Sequence, residues 1–212
     1  MTSHHKPYWH NKKFLRSVAV SLLFILASAI INFFAGTYAA ERASSPVTDI
    51  ILSNTRPRDL DGLFVYGAVF LGIMILAICL RRPRFIPFTG KAIALFVVVR
   101  SVFITLTHIG PFPTQIVITS TILDKFTFGG DLFFSGHVGL TFLMALIFWH
   151  KKILRLFFIL LSAVFAVVVL LAHLHYTIDV VAAYFITYTI YHLAETFFKK
   201  DLKIAKEGLA II

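Results

Sequence analysis

The 212-residue chain is 58% hydrophobic and 14% charged, with a mean hydropathy of +0.86, whereas a soluble domain is nearer half apolar and a quarter charged. Composition therefore excludes an ordinary water-soluble globule, and the length suits one domain, residues 1–212. The formal charge of +10 does not indicate a nucleic-acid partner, because the basic residues stand at the ends of apolar blocks, which is the pattern of membrane topology.

In chain order, residues 1–16 are basic and carry His4, His5 and His10. The apolar run that follows, about Ser17–Ala39, is too long for a signal-peptide core and lacks a clear cleavage pattern. It is expected to be a first membrane helix retained in the mature protein. About 20 apolar residues make a membrane helix, and five further blocks meet or approach that length. They are Leu63–Leu80, Ala92–Ile109, Phe133–Trp149, Ile153–His173 and Tyr176–Phe198. The single cysteine, Cys79, lies inside the second block, so it forms no internal disulfide. Pro111 and Pro113 end the third block. Gly129 and Gly130 break the chain before the fourth, which is short and polar at its start. The last two blocks are nearly continuous, with a reversal near His173–Tyr176. Lys199–Ile212 reads as a short basic tail on the membrane surface. The expected fold is all-α, an integral membrane bundle of six transmembrane helices.

The loops alternate in charge. One side carries fifteen Lys and Arg, in the segments around residues 6–16, 81–91, 151–155 and 199–206. The other carries four: Arg42, Arg56, Arg58 and Lys125. The positive-inside rule then places both termini in the cytoplasm, in a bacterial inner or plasma membrane. The loops 40–62 and 110–132 and the His173–Tyr176 reversal face outward. These outer loops hold the acids Glu41, Asp49, Asp59, Asp61, Asp124 and Asp131.

Two clusters can carry chemistry, and topology puts both at the outer face. The first is Gly130-Asp131-Leu132-Phe133-Phe134-Ser135-Gly136-His137. Ser135 and Gly136 stand where a helix N-cap would stand, so free N–H groups form an anion site. Glycine allows a phosphate close to the backbone. His137 is placed to protonate a leaving oxygen. A plain capped helix start accounts for the same residues. Asp131 either tunes His137, acts as a base, or is an ordinary loop acid.

The second cluster is His173-Leu174-His175-Tyr176-Thr177-Ile178-Asp179. Four residues apart on a helix, His175 and Asp179 would stack on one face. Asp179 would accept from His175 Nδ1–H and leave Nε2 free to attack phosphorus. The alternative is an interfacial histidine beside a first-turn acid favoured by the helix dipole. Arg100, a charge inside the third block, either binds a phosphate oxygen or pairs with a buried acid. Thr107 and His108 follow on a similar face. On the sixth block, Tyr191 and His192 read as packing or interfacial anchors. The histidines and acids match no usual zinc spacing, so neither a metal nor another cofactor is expected.

Ser135-Gly136-His137 and His175 with Asp179 resemble the second and third motifs of the type 2 phosphatidic acid phosphatase superfamily. The longer patterns around Gly130–His137 and from His175-Tyr176-Thr177-Ile178-Asp179-Val180 through Tyr184 to Tyr191-His192 are similar to sphingomyelin synthases and related ceramide phosphoethanolamine synthases. The strong matches span about Gly130–His192, and the upstream synthase motifs have only faint echoes in Arg56-Pro57-Arg58-Asp59 and in Arg100 with Pro111 and Pro113. The phosphatase branch carries a Ser-Arg pair where this chain has Val168 and Val169, and the threonine usual after the first-motif histidine is Val138 here. The resemblance thus favours a lipid phosphodiester over a phosphate monoester.

It implies a metal-independent transferase that moves a phospho-head group through a phosphohistidine, from a glycerophospholipid to a lipid hydroxyl such as ceramide or diacylglycerol. His137, His175 and Asp179 would be catalytic, Asp131 would tune them, and Ser135, Gly136, Arg100 and Tyr176 would hold the phosphate or head group. Membrane lipids are the expected partners. The alternatives are a hydrolase that gives the head group to water, a membrane transporter using Arg100 and the histidines, and a scaffold without activity. The lack of an internal repeat weighs against the transporter.

Overall fold

The computed structural model describes residues 6–116 and 133–209. Among them, all regular structure is helical: α1 (Lys6–His10), α2 (Lys12–Glu41), α3 (Asp61–Arg81), α4 (Ile86–Leu106), α5 (Gly136–Ile147), α6 (Lys152–Leu171), α7 (Thr177–Phe197) and α8 (Lys199–Glu207). Short 3-10 turns occupy Leu52–Asn54 and Pro83–Phe85.

Every apolar block contains a helix. Four stretches are long and apolar enough to cross a membrane: Lys12–Glu41, Asp61–Arg81, Pro83–Leu106 and Lys152–Leu171. That is the signature of an integral membrane protein. Of the six expected spans, two do not meet that description by length and composition alone. α5 has 12 residues, about 18 Å of helix against a hydrocarbon core of about 30 Å. α7 has 21 residues, but Asp179, His192, Glu195 and its threonines and tyrosines dilute its apolar character.

Helix starts also move. Asn11 caps α2, with its Oδ1 accepting from Phe14 N at 3.1 Å, so the helix takes in basic residues expected to lie before it. Tyr8 and Trp9 pack their rings edge-on against Phe14. α4 starts at Ile86, six residues ahead of the expected start, with proline in its first turn, where the missing N–H costs nothing. Lys91, expected as a loop cation, is therefore helical and buried. Its Nζ donates to Asp201 Oδ2 at 2.6 Å and to Ser17 Oγ at 2.9 Å. This ion pair fastens α8 across the starts of α2 and α4.

α2 packs along α4 through small residues. A Cβ on Gly90 would stand 3.0 Å from Ser21 Cβ, the close backbone approach that membrane helices exploit. α5 is central, packed against α4, α6 and α7. Gly139 permits this: a Cβ there would lie 2.7 Å from the Phe96 ring and 2.8 Å from Thr187 Oγ1. α3 lies on the outside of α6, and Gly67 receives the Phe165 ring where a Cβ would meet it at 2.8 Å.

The antiparallel run gives the bundle two ends. At one end the loops 42–60 and 107–116 close over the α6–α7 reversal. Ser44 N donates to His108 O (2.7 Å), Arg58 N to Leu171 O (2.8 Å) and Ile116 N to Ala172 O (3.2 Å). The basic segments and α8 lie at the other end.

Candidate active site

The reversal between α6 and α7 is built by a helix-ending motif that the sequence does not announce with glycine. His173 N donates to Leu170 O at 3.1 Å and Leu174 N to Val169 O at 2.9 Å. This is the paired bonding of a Schellman ending. His173 takes its left-handed position, with φ 54°. Both ring nitrogens are engaged, Nδ1 with Thr114 Oγ1 (2.6 Å) and Nε2 with Thr55 Oγ1 (3.2 Å). His173 thus ties the reversal to both outer loops. Burial holds its imidazole below the usual range, an effect the Asp49 carboxylate partly offsets.

His175 comes next and lies outside the helix, two residues before α7 begins, which corrects the expectation that it shares a helical face with Asp179. The pair is nevertheless formed. Asp179 sits in the first turn of α7, and its Oδ2 reaches back to accept from Tyr176 N at 2.9 Å, as an acid at this position does in a capping box. The same Oδ2 lies 3.6 Å from His175 Nδ1. Asp179 is wholly buried and His175 nearly so. His175 Nδ1 and Asp179 Oδ1 have no hydrogen-bond partner among the described residues. The structural role and the orienting role of Asp179 therefore coexist: one oxygen caps the helix, and the carboxylate stands beside the imidazole.

The first cluster meets the second directly. Ser135 N donates to Asp179 O at 3.2 Å. Ser135 is the N-cap residue of α5, as expected, but its hydroxyl makes no capping bond. The Ser135 Oγ and the His137 Nε2 are buried without a partner among the described residues. The His137 ring lies between Phe64 of α3, 4.0 Å away by ring centroids, and Phe165 of α6, at 5.2 Å. Both His175 and Arg100 lie close enough to His137 to act on its charge.

Arg100 arrives from α4. Its Nε donates to Phe134 O at 2.9 Å. A Cβ on Gly136 would lie 3.3 Å from that Nε and 3.6 Å from Cζ. The guanidinium thus lies directly against the first residue of α5, where the helix presents its free N–H groups. Asp131 falls outside the described residues. Val168 and Val169 are buried in the apolar core at the end of α6.

Tyr176 is placed differently from a head-group contact. It is 1% exposed, its hydroxyl donates to Gly110 O at 2.8 Å, and the same hydroxyl oxygen of Tyr176 accepts from Val47 N at 3.2 Å. It is a strut between the outer loops. Gly110 is required beneath it, since a Cβ there would collide with the Ser44 carbonyl. Asp49, read from sequence only as one of several loop acids, binds Thr177 at the start of α7. At the opposite end, Tyr191 donates to Glu195 (2.9 Å) and His192 Nδ1 lies 3.0 Å from the same carboxylate. They lie far along α7 from its start and are not part of the candidate site.

The arrangement unites two histidines, one with a carboxylate beside it, an arginine and a helix N-terminus around unpartnered polar atoms. That set can bind an oxyanion, attack it and protonate a leaving group. Residues 129–196 match the family model described as PAP2 superfamily C-terminal. The match takes in both clusters and supports the superfamily, which is consistent with lipid phosphatase or phosphotransferase chemistry. No curated protein and no solved structure matches the chain.

Proposed function

We propose that this protein is a membrane lipid phosphotransferase that cleaves a glycerophospholipid phosphodiester through a phosphohistidine and passes the head group to a lipid hydroxyl such as ceramide or diacylglycerol. The observation that carries this reading is the convergence of His175 with Asp179, His137, and Arg100 against Gly136. The phosphodiester rests against the N-terminus of α5, with its charge met by the helix N–H groups and the Arg100 guanidinium. His175 Nε2 attacks phosphorus while Asp179 holds Nδ1 and stabilises the cation that forms. The bond from phosphorus to the diacylglycerol oxygen breaks, and His137 gives that oxygen its proton. The neutral His137 then takes the proton of the acceptor hydroxyl. The new oxygen–phosphorus bond forms as the nitrogen–phosphorus bond breaks, which restores His175. Donors fixed in place before the reaction offset the charge that builds on phosphorus.

The apolar surroundings of Val168 and Val169 favour a diester, since a doubly charged monoester would call for more cations at that end of α6. Six crossings, with both termini in the cytoplasm and the site at the outer face, complete the reading. Phospholipid then reaches the site from the outer leaflet.

The test uses purified protein in lipid nanodiscs with head-group-labelled phosphatidylcholine or phosphatidylethanolamine, with and without ceramide or diacylglycerol. His175→Ala is expected to abolish diacylglycerol release. His137→Ala is expected to slow it about 10²- to 10⁴-fold. Label recovered in a new lipid identifies transfer, and label recovered in water identifies hydrolysis. A fully active His175→Ala protein eliminates the mechanism.

A further inference from the structure

Asp49 lies in the loop between α2 and α3 and is 9% exposed. Its carboxylate accepts four hydrogen bonds. Oδ1 takes Ile51 N (2.9 Å), Leu52 N (3.0 Å) and Thr177 Oγ1 (2.8 Å), and Oδ2 takes Thr177 N (2.7 Å). The first two bonds fold the loop into its 3-10 turn. The other two cross 128 positions of sequence to the first residue of α7.

An acid at that place does what an N-cap side chain ordinarily does: it satisfies an orphan N–H and puts negative charge at the positive end of the helix dipole. Asp179 of the helix itself takes only the Tyr176 N–H, and the N-cap residue, Tyr176, sends its side chain to Gly110, so neither satisfies Thr177 N. The partner of Thr177 is supplied by another segment of the chain.

Thr177 stands two residues after His175 and two before Asp179. The histidine–carboxylate pair does not hold itself together, since Nδ1 and Oδ2 are 3.6 Å apart and Oδ2 is already committed to Tyr176 N. Local backbone bonds from Asp179 N and Val180 N to Tyr176 O fix the turn, and Ser135 N to Asp179 O ties it to α5, but neither holds the His175 side of the turn against the outer loops. We propose that Asp49 is a positioning residue for the reaction: by holding both the N–H and the hydroxyl of Thr177, it sets the register in which His175 and Asp179 face each other and the nucleophile is aimed at phosphorus. The inference rests on the reading of His175 as the nucleophile. Asp49 itself touches neither histidine nor substrate. A small displacement of an attacking group costs about 10- to 100-fold in rate, so the effect belongs in kcat.

The experiment compares full-length Asp49→Ala, Asp49→Asn, Thr177→Val, Thr177→Ser and the Asp49→Ala/Thr177→Val double variant in nanodiscs. Two readouts are taken: steady-state diacylglycerol release, and amide hydrogen exchange of peptides covering residues 174–181 against peptides from α2 and α4. Asp49→Ala is expected to lower kcat about 10- to 100-fold, leave KM within about twofold, and raise exchange in 174–181 and in the 3-10 turn that Asp49 folds, with no rise in α2 or α4. Thr177→Ser keeps the hydroxyl and retains the activity that Thr177→Val loses. The double variant is no worse than Asp49→Ala, because the two residues act as one unit. Unchanged exchange in 174–181, additive rate losses, or a rise in exchange spread over every helix each overturn the proposal. Should Asp49→Ala fail to fold, Asp49→Asn provides the milder break, since its amide sets a donor against an N–H. If the wild-type protein releases no diacylglycerol, the phosphotransferase reading fails, and exchange alone then decides whether Asp49 holds the segment.

Discussion

Arg100 shows how much a single side chain can be asked to do in this bundle. A guanidinium inside an apolar helix is costly unless its donors are used, and here Nε is bound to the Phe134 carbonyl while the plane lies against Gly136. This geometry needs a fork of donors. Lysine offers a single rotatable point charge and would lose either the carbonyl or the oxyanion. Arg100→Lys is therefore expected to fold and to lose about 10²- to 10³-fold in kcat/KM, the scale of one preorganised donor. Gly136→Ala is expected to cost less, about tenfold, because its methyl displaces the guanidinium by only a few tenths of an ångström. Diacylglycerol release, with thermal melting as the folding control, measures both. A fully active Arg100→Lys protein removes arginine from the phosphate site. Arg100, His137 and the His175–Asp179 pair were all legible in the sequence, because each is a polar group in an apolar block or a motif with fixed spacing. Asp49 and the role of Tyr176 were not, since their partners lie 128 and 66 positions away and no local pattern encodes them.

Among the elements, the least regular segment carries His175 and leads into Asp179, the pair at the centre of the candidate site. The α6–α7 reversal is strapped to the outer loops by His173, Asp49 and Tyr176, and two of these respond to acid in the same direction. Burial keeps His173 below its ordinary range. For Asp49, burial alone would push the carboxyl up, but the bonds from Leu52, Thr177 and Ile51 together hold it below 3.8. In both cases the unfolded or detached segment binds the proton more readily, so stability rises with pH across each window. The His173 contribution is complete above its free value of about 6.5 and declines as pH falls below it; the Asp49 contribution declines only below about 4. Exchange protection of residues 172–178, corrected for intrinsic rates, should fall in two steps on acidification, and His173→Asn should remove the upper step alone. Protection that rises on acidification contradicts this assignment. The helices were legible as apolar blocks, whereas their ends were less so. α4 takes in Lys91, a lysine that reads as a loop cation, and its charge is met by Asp201, a partner 110 residues distant.

At the scale of the whole molecule, α5 and α7 are the helices that fall short as membrane spans, and their place in the bundle accounts for it. Length and hydropathy measure fitness to meet lipid, and α5, enclosed by α4, α6 and α7, need not meet it. A short helix with irregular ends is tolerated at membrane depth where protein covers it. α7 carries an apolar stripe among its exposed residues. Ile178, Val181, Phe185 and Tyr188 are exposed, and Asp179 and Thr187 are buried. The exposed residues recur at helical spacing and form one predominantly apolar stripe. Exposed Thr189, His192 and Thr196 beside that stripe, together with buried Asp179 and Thr187, lower the mean for the helix as a whole. On the proposed six-crossing arrangement both helices cross, and the fifteen-to-four loop asymmetry would set their direction. The consequence is measurable with single cysteines in a Cys79→Ala background, since Cys79 is the one native thiol. Arg58→Cys, in the loop that bonds to the end of α6, should react with a membrane-impermeant maleimide in intact cells. Lys203→Cys, on the exposed side of α8, should react only after permeabilisation. Labelling of Lys203→Cys in intact cells would place α8 and the active-site loops on one side, which six crossings do not allow.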